Sequence, residues 1–305
     1  MPRRKDFFHT GLDVSRSEIA NVVRGNPTGA QDYYVDLNVR VTGDGSIDDP
    51  FKTIAEGLLA SSISIASADN RWWARRNRVF VTADGESETL VLAAEKTDLI
   101  GMGYDVGSFP KITGNFTIGT AVKGFRIFNM GFIPTTTAPV ITFPAGMHGW
   151  EMHDVTLYKS EALVNTAVLL STDSRDWIMN NVRIVPDAGG AFSTIGVSLA
   201  GTASGQGRCL MEDCLICGVE GIDVADTSQA FEGGWVRNNT IVATNLCVDD
   251  NSSGLLFTNN NLITAAAGGS TDGSGVVDWN TEMICNNRVH ASDADAEIPL
   301  LDVLS

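Results

Sequence analysis

Val236-Arg237-Asn238-Asn239-Thr240-Ile241 is followed by Phe257-Thr258-Asn259-Asn260-Asn261-Leu262, 21 residues further on. Both read apolar, any, Asn or Asp, any, any, apolar. The same pattern begins at Ile127, Met152, Met179, Met211 and Ile284, which makes seven copies. Their third positions are Asn129, Asp154, Asn181, Asp213, Asn238, Asn259 and Asn286. Their sixth positions are Phe132, Leu157, Ile184, Ile216, Ile241, Leu262 and Val289. Successive starts lie 25, 27, 32, 25, 21 and 27 residues apart. A period of 20 to 50 residues marks a solenoid. Strand-forming residues with one Asn or Asp at a fixed place predict a parallel β-helix, not a helical array.

Each repeat is then one turn of short parallel strands. The first and sixth residues point inward and stack on their counterparts about 4.8 Å away. Asn and Asp tolerate the left-handed backbone that a sharp bend between strands requires. Stacked amides can also bond from turn to turn, so the seven third-position residues are expected to form a structural ladder and to have no catalytic part. Register must be kept inside the coil, so extra residues leave as loops. The longest step, Met179 to Met211, holds Pro186-Asp187-Ala188-Gly189-Gly190 and Gly201-Thr202-Ala203-Ser204-Gly205. Loops on one face of a solenoid are where binding is commonly carried.

The 305-residue chain is 43% hydrophobic, which excludes disorder and allows one elongated domain. Its formal net charge is −16, so nucleic acid and anionic membrane are poor partners. The charge is uneven. Residues 1–24 hold Arg3, Arg4, Lys5, Arg16 and Arg24 against Asp6, Asp13 and Glu18, a net of +2, so the rest of the chain carries −18. With Phe7 and Phe8 beside Arg3, Arg4 and Lys5, this segment reads as a docking arm. No run of 18 apolar residues predicts a membrane span, and no secretion signal is visible. Five cysteines, Cys209, Cys214, Cys217, Cys247 and Cys285, suit small core hydrophobes in a reduced protein made in a cytoplasm. Cys214-Leu-Ile-Cys217 lacks the second pair that zinc would need.

Along the chain, residues 1–32 read as the arm, 33–290 as the coil with regular rungs from 125, and 291–305 as a C-terminal cap or tail. Tyr33–Leu37, Arg78–Thr82, Glu88–Leu92 and Asp98-Leu99-Ile100 followed by Gly101 read as strands. Pro50-Phe51-Lys52-Thr53-Ile54 leads into a predicted helix over about 53–66. Thr53 and Glu56 form a capping box there, and Ile54, Leu58 and Ile65 form the buried face. Such a helix plugs a coil end whose open strand edges would otherwise aggregate.

Tyr34-Val35-Asp36, Gly45 through Ile54, Val79-Phe80-Val81 and Leu99-Ile100-Gly101-Met102-Gly103 together resemble the opening of pectin-lyase-like right-handed β-helix proteins. The resemblance spans roughly residues 33–290. It implies an all-β right-handed parallel β-helix solenoid with an N-terminal amphipathic capping helix. It does not imply one function, since the superfamily holds polysaccharide lyases, polygalacturonases, pectin esterases, phage tailspikes and non-catalytic virion proteins.

The superfamily's catalytic motifs do not carry over. Gly146-Met147-His148-Gly149 stands where polygalacturonases have Gly-His-Gly, and the Arg-x-Lys of Arg3-Arg4-Lys5 falls outside the coil. Residues 124–290 hold 17 acidic against seven basic residues, a surface that repels uronates. Glycoside hydrolysis needs two carboxylates on one groove. Asp173 with Asp176, Asp223 with Asp226, and Asp226 with Glu232 are the candidates; Asp249-Asp250 matches only the Asp part of the polygalacturonase pattern. Trp150 and Trp177 are in phase with the inward column, and Trp235 is out of phase. The sequons at Asn115, Asn238 and Asn251, and the acidic trio Asp44, Asp48 and Asp49, carry no assigned role. No cofactor or metal is expected.

The sequence thus predicts a structural virion protein of a tailed bacteriophage, a capsid decoration or spike-like protein made in the host cytoplasm. It would dock on other virion proteins through its arm. It is expected to trimerise and to meet host-surface carbohydrate. The alternative is a polysaccharide depolymerase using paired carboxylates on the coil face.

Overall fold

The computed structural model describes residues 30–66, 76–82, 88–92, 94–103, 109–118, 122–159, 166–171, 174–186, 193–199, 208–224, 230–250, 253–264, 277–279 and 284–291. Every strand pairing recorded among them is parallel. The chain is a parallel β-solenoid. A first sheet takes one strand from each turn, running from Asp32–Asp36 through Asn77–Thr82, Thr97–Gly101, Arg126–Phe128 and onward to Ile284–Cys285. The stack therefore starts well before residue 125.

The rest of each turn forms a second sheet with two limbs. One limb includes Gly131–Ile133, Thr156–Lys159 and Arg183–Pro186, and the other includes Phe116–Ile118, Ile141–Phe143 and Ser193–Leu199. Leu215–Val224 and Thr240–Asp250 each run through both limbs and join them. The bend in Leu215–Val224 shows as a register shift between Gly218 and Glu220. A Cβ on Gly218 would lie 2.0 Å from the Glu220 carbonyl, so no larger residue fits that corner.

Register follows the repeat. Ile127, Met152, Met179 and Met211 stand in line on the first sheet, and Phe132, Leu157, Ile184 and Ile216 on the second. All are buried. Large rings fill the middle of the coil. Phe143 stacks on Trp150 with centroids 3.8 Å apart, and Trp150 on Trp177 at 5.2 Å. Trp150 donates its indole N–H to Ser174 Oγ at 2.8 Å. Trp235, one residue before a repeat start, points outward and is 41% exposed.

The helix, α1 (Ile54–Ala66), closes the N-terminal end. Its capping box is complete, with the Thr53 N–H bonding Glu56 Oε2 at 3.0 Å and the Glu56 N–H bonding Thr53 Oγ1 at 3.2 Å. The Glu88 carboxylate accepts from the Ile54 and Ala55 N–H groups, which satisfies two more open donors of the first turn. Ile54, Leu58 and Ile65 are buried, and Gly57 lets the helix backbone lie against Val35 and Val79.

Candidate functional site

The seven third-position residues all sit at positive φ, between 51° and 57°. Their side chains leave the wall, and the next residue turns inward: Met130, Val155, Val182, Cys214, Asn239, Asn260 and Asn287. The continuous amide ladder belongs to the last three of these, one place later than the sequence pattern suggests. Asn239 Nδ2 donates to Asn260 Oδ1 at 3.0 Å, and Asn260 Nδ2 to Asn287 Oδ1 at 2.9 Å. The same oxygens accept the backbone N–H of Asn239 and Asn260. In the outer column, Asn181 Nδ2 bonds Asp154 Oδ1 at 2.6 Å and Asn129 Nδ2 bonds the Gly101 carbonyl at 2.9 Å. The doublets Asn238-Asn239, Asn259-Asn260 and Asn286-Asn287 were the visible signal for the inner ladder. A second bend column, Lys96, Gly124, Gly149 and Asp176, also lies at positive φ, just before four successive first-sheet strands.

The outer wall of the first sheet carries charges of alternating sign. Asp32, Arg78, Asp98, Arg126 and Glu151 occupy one column on successive turns. Arg78 holds Asp32 with two bonds of 2.8 and 2.6 Å, and Arg126 holds Asp98 in the same way. Arg76 adds a third bond to Asp98 at 2.8 Å. Beyond them, His153 Nε2 lies 2.9 Å from Glu151 Oε2. The His153 bond and the Arg126 charge hold the Glu151 carboxyl below its usual range, against burial. Burial opposes the Arg126 charge, but its bonds to Asp98 outweigh that and raise its pKa. Arg78 and Arg126 also cover the rings of Phe80 and Phe128, each 5.3 Å from the centroid. Turn upon turn, every charge in this column meets its opposite.

The second limb of the second sheet does the reverse. Ser198, Asp223, Asp249 and Asp278 stand in register on successive turns. Asp223 and Asp249 are outward neighbours at the strand spacing of about 4.8 Å, where like charges are unfavourable. Burial, then Asp249, then Glu220 push the Asp223 carboxyl above its usual range, with a Ser198 hydroxyl bond of 3.4 Å opposing them. A perturbed carboxyl beside a second carboxylate is the arrangement that acid–base chemistry uses. This column is the candidate site. Lys123, His148 and Arg175 also pair in register on three successive turns, through isolated backbone bridges. The overall count of 17 acidic residues against seven basic hid this clustering.

Other expected residues fall as follows. Asp173 and Asp226 lie outside the described residues, as do Arg3, Arg4, Lys5, Phe7, Phe8 and the tail from 292 onward. Asp176 sits at an exposed bend and accepts from Arg208 Nε at 3.0 Å. Glu232 and Asp250 lie in strands, but their side chains are outside the described set. Asp44 Oδ1 accepts the Ser46 N–H, which lowers its pKa. Among the described residues, no group of three His, Cys, Asp or Glu is placed to hold a metal. Asn115 is buried and braces the 135–136 turn, a poor glycan acceptor. Cys209, Cys214, Cys217 and Cys247 are free and buried. Burial raises each thiol, Cys214 and Cys247 to about 12, so they act as inert packing. Among the described residues, no helix is long and apolar enough to cross a membrane.

These features define a parallel β-helix protein. No family model matches the sequence, and no curated protein matches it. Among solved structures, a crystal structure of pectate lyase Pel9A is similar with a TM-score of 0.29 and 10% identity. The match covers 88% of this chain and 79% of that one.

Proposed function

We propose that this protein is a structural rod that takes its place in a larger assembly of the virion type, as a capsid decoration or spike-like component, docked through its basic N-terminal segment. The observation that supports the reading is the alternating charge column. The most organised polar feature of the outer wall is consumed in holding turns together, with Asp98 clasped by both Arg76 and Arg126. The acidic body and the basic segment of residues 1–24 form a charge pair suited to docking one end of the rod. Side-by-side trimers belong to the same reading.

A second reading, a polysaccharide depolymerase, is favoured by one observation. Asp223 and Asp249 are in-register neighbours on adjacent turns, two carboxylates on one face as glycoside hydrolysis requires. One experiment separates the two. The full chain and a chain lacking residues 1–30 are mixed with candidate particles and, separately, with a panel of polysaccharides. Loss of particle binding on truncation, with no sugar released by either chain, fits the structural reading. Release of reducing or unsaturated ends by the full chain, abolished by Asp249→Asn, overturns it.

A further inference from the structure

The cap helix buries the wrong residues on one flank. Ser61 and Ser64 are buried, whereas Leu59 and Ile63 are each 61% exposed. The buried serine has a purpose: Ser61 Oγ lies 2.7 Å from Thr97 Oγ1 and also receives a bond from Asn77 Nδ2. The outer flank is left without one. Ala55, Leu59, Ile63 and Ala66 are all exposed, and their spacing of four, four and three residues forms one stripe along α1. A helix that is apolar on both sides is ordinarily covered on both.

We propose that residues 12–23 of the same chain cover this stripe. Three observations favour this occupant. The described chain begins beside the helix: Tyr33 Oη donates to the Ala60 carbonyl at 3.3 Å. The reach is sufficient, since the seven residues from Val23 to Ala30 span about 23 Å and α1 is about 20 Å long. The segment is apolar enough, with Leu12, Val14, Ile19, Val22 and Val23. Being tethered, the segment acts at high effective concentration. The inference is independent of what residues 3–8 meet.

The test is maleimide labelling of an Ile63→Cys chain, with labelling of the unsubstituted chain subtracted. The same substitution is also placed in a chain lacking residues 1–24 and in a full-length chain carrying Ile19→Asp, Val22→Asp and Val23→Asp. Mass is followed by light scattering and the coil by circular dichroism. Labelling at least tenfold slower in the intact monomer than in both altered chains is expected. The triple variant keeps the chain length, and it decides the matter if the shortened chain does not fold. Equal, fast labelling in all three overturns the proposal. So does slow labelling in all three, which would mean another segment covers the stripe. Protection that appears only with a doubled mass also overturns it, because the cover would then be a second copy.

Discussion

Asn259 and Asn260 are adjacent and do different work. Asn259 takes the left-handed bend at φ 56°, with its side chain outside the wall. The Asn260 side chain turns inward and joins four hydrogen bonds, to Asn239 N–H, Asn239 Nδ2, the Val236 carbonyl and Asn287 Oδ1. Asn259→Gly should therefore change stability by only a few tenths of a kcal/mol, because glycine accepts positive φ freely. Asn260→Ala leaves several buried groups unpaired, at about 1–3 kcal/mol each, so a loss above about 3 kcal/mol is expected. Urea unfolding of the two variants checks the contrast, and equal losses would contradict the assignment of roles. Trp150 is another such residue. Trp150→Ala removes the middle of a three-ring stack and should cost about 3–5 kcal/mol.

At the scale of elements, the first-sheet charge column and the Asp223 column respond to pH in opposite directions. Glu151 is held below its ordinary 4.5, so its contribution is complete above that value and is lost as pH falls through the lowered one. Asp223 is raised above its ordinary 3.8, so its contribution is complete below 3.8 and is lost as pH rises through the raised one. Asp223→Asn should then stabilise the coil at pH 7 by about 0.5 kcal/mol, with the gain vanishing near pH 3. Thermal melts at both values test this, and destabilisation at pH 7 would remove the case for an unfavourable column. Asp98→Asn should cost about 2–3 kcal/mol at pH 7, less than a fully buried pair because both arginines keep some water contact. On the helix, Thr53→Ala breaks half of the capping box and should cost about 1 kcal/mol.

For the whole molecule, successive turns touch mainly their neighbours, so stability is close to a sum over rungs. Variants in distant turns, such as Thr53→Ala and Asn260→Ala, should add within about 0.5 kcal/mol, and a double variant measures this directly. The repeat, the inward columns and the cap helix were legible in the sequence because each is a local rule repeated at a fixed offset. An apolar residue at a fixed phase, an Asn or Asp at a bend and a Thr-x-x-Glu cap need no knowledge of distant residues. The inner amide ladder was half legible, present as doublets but assigned one residue early, because only a resolved bend shows which member turns inward. The charge columns were not legible at all. Asp98, Arg126 and Glu151, or Asp223 and Asp249, are 25 to 28 residues apart in sequence and become neighbours only through the register of the coil. The sequence by itself determined the shape of each turn. Tertiary structure decided which side chains meet across turns, since repeat lengths that vary from 21 to 32 residues set a register that no local pattern encodes.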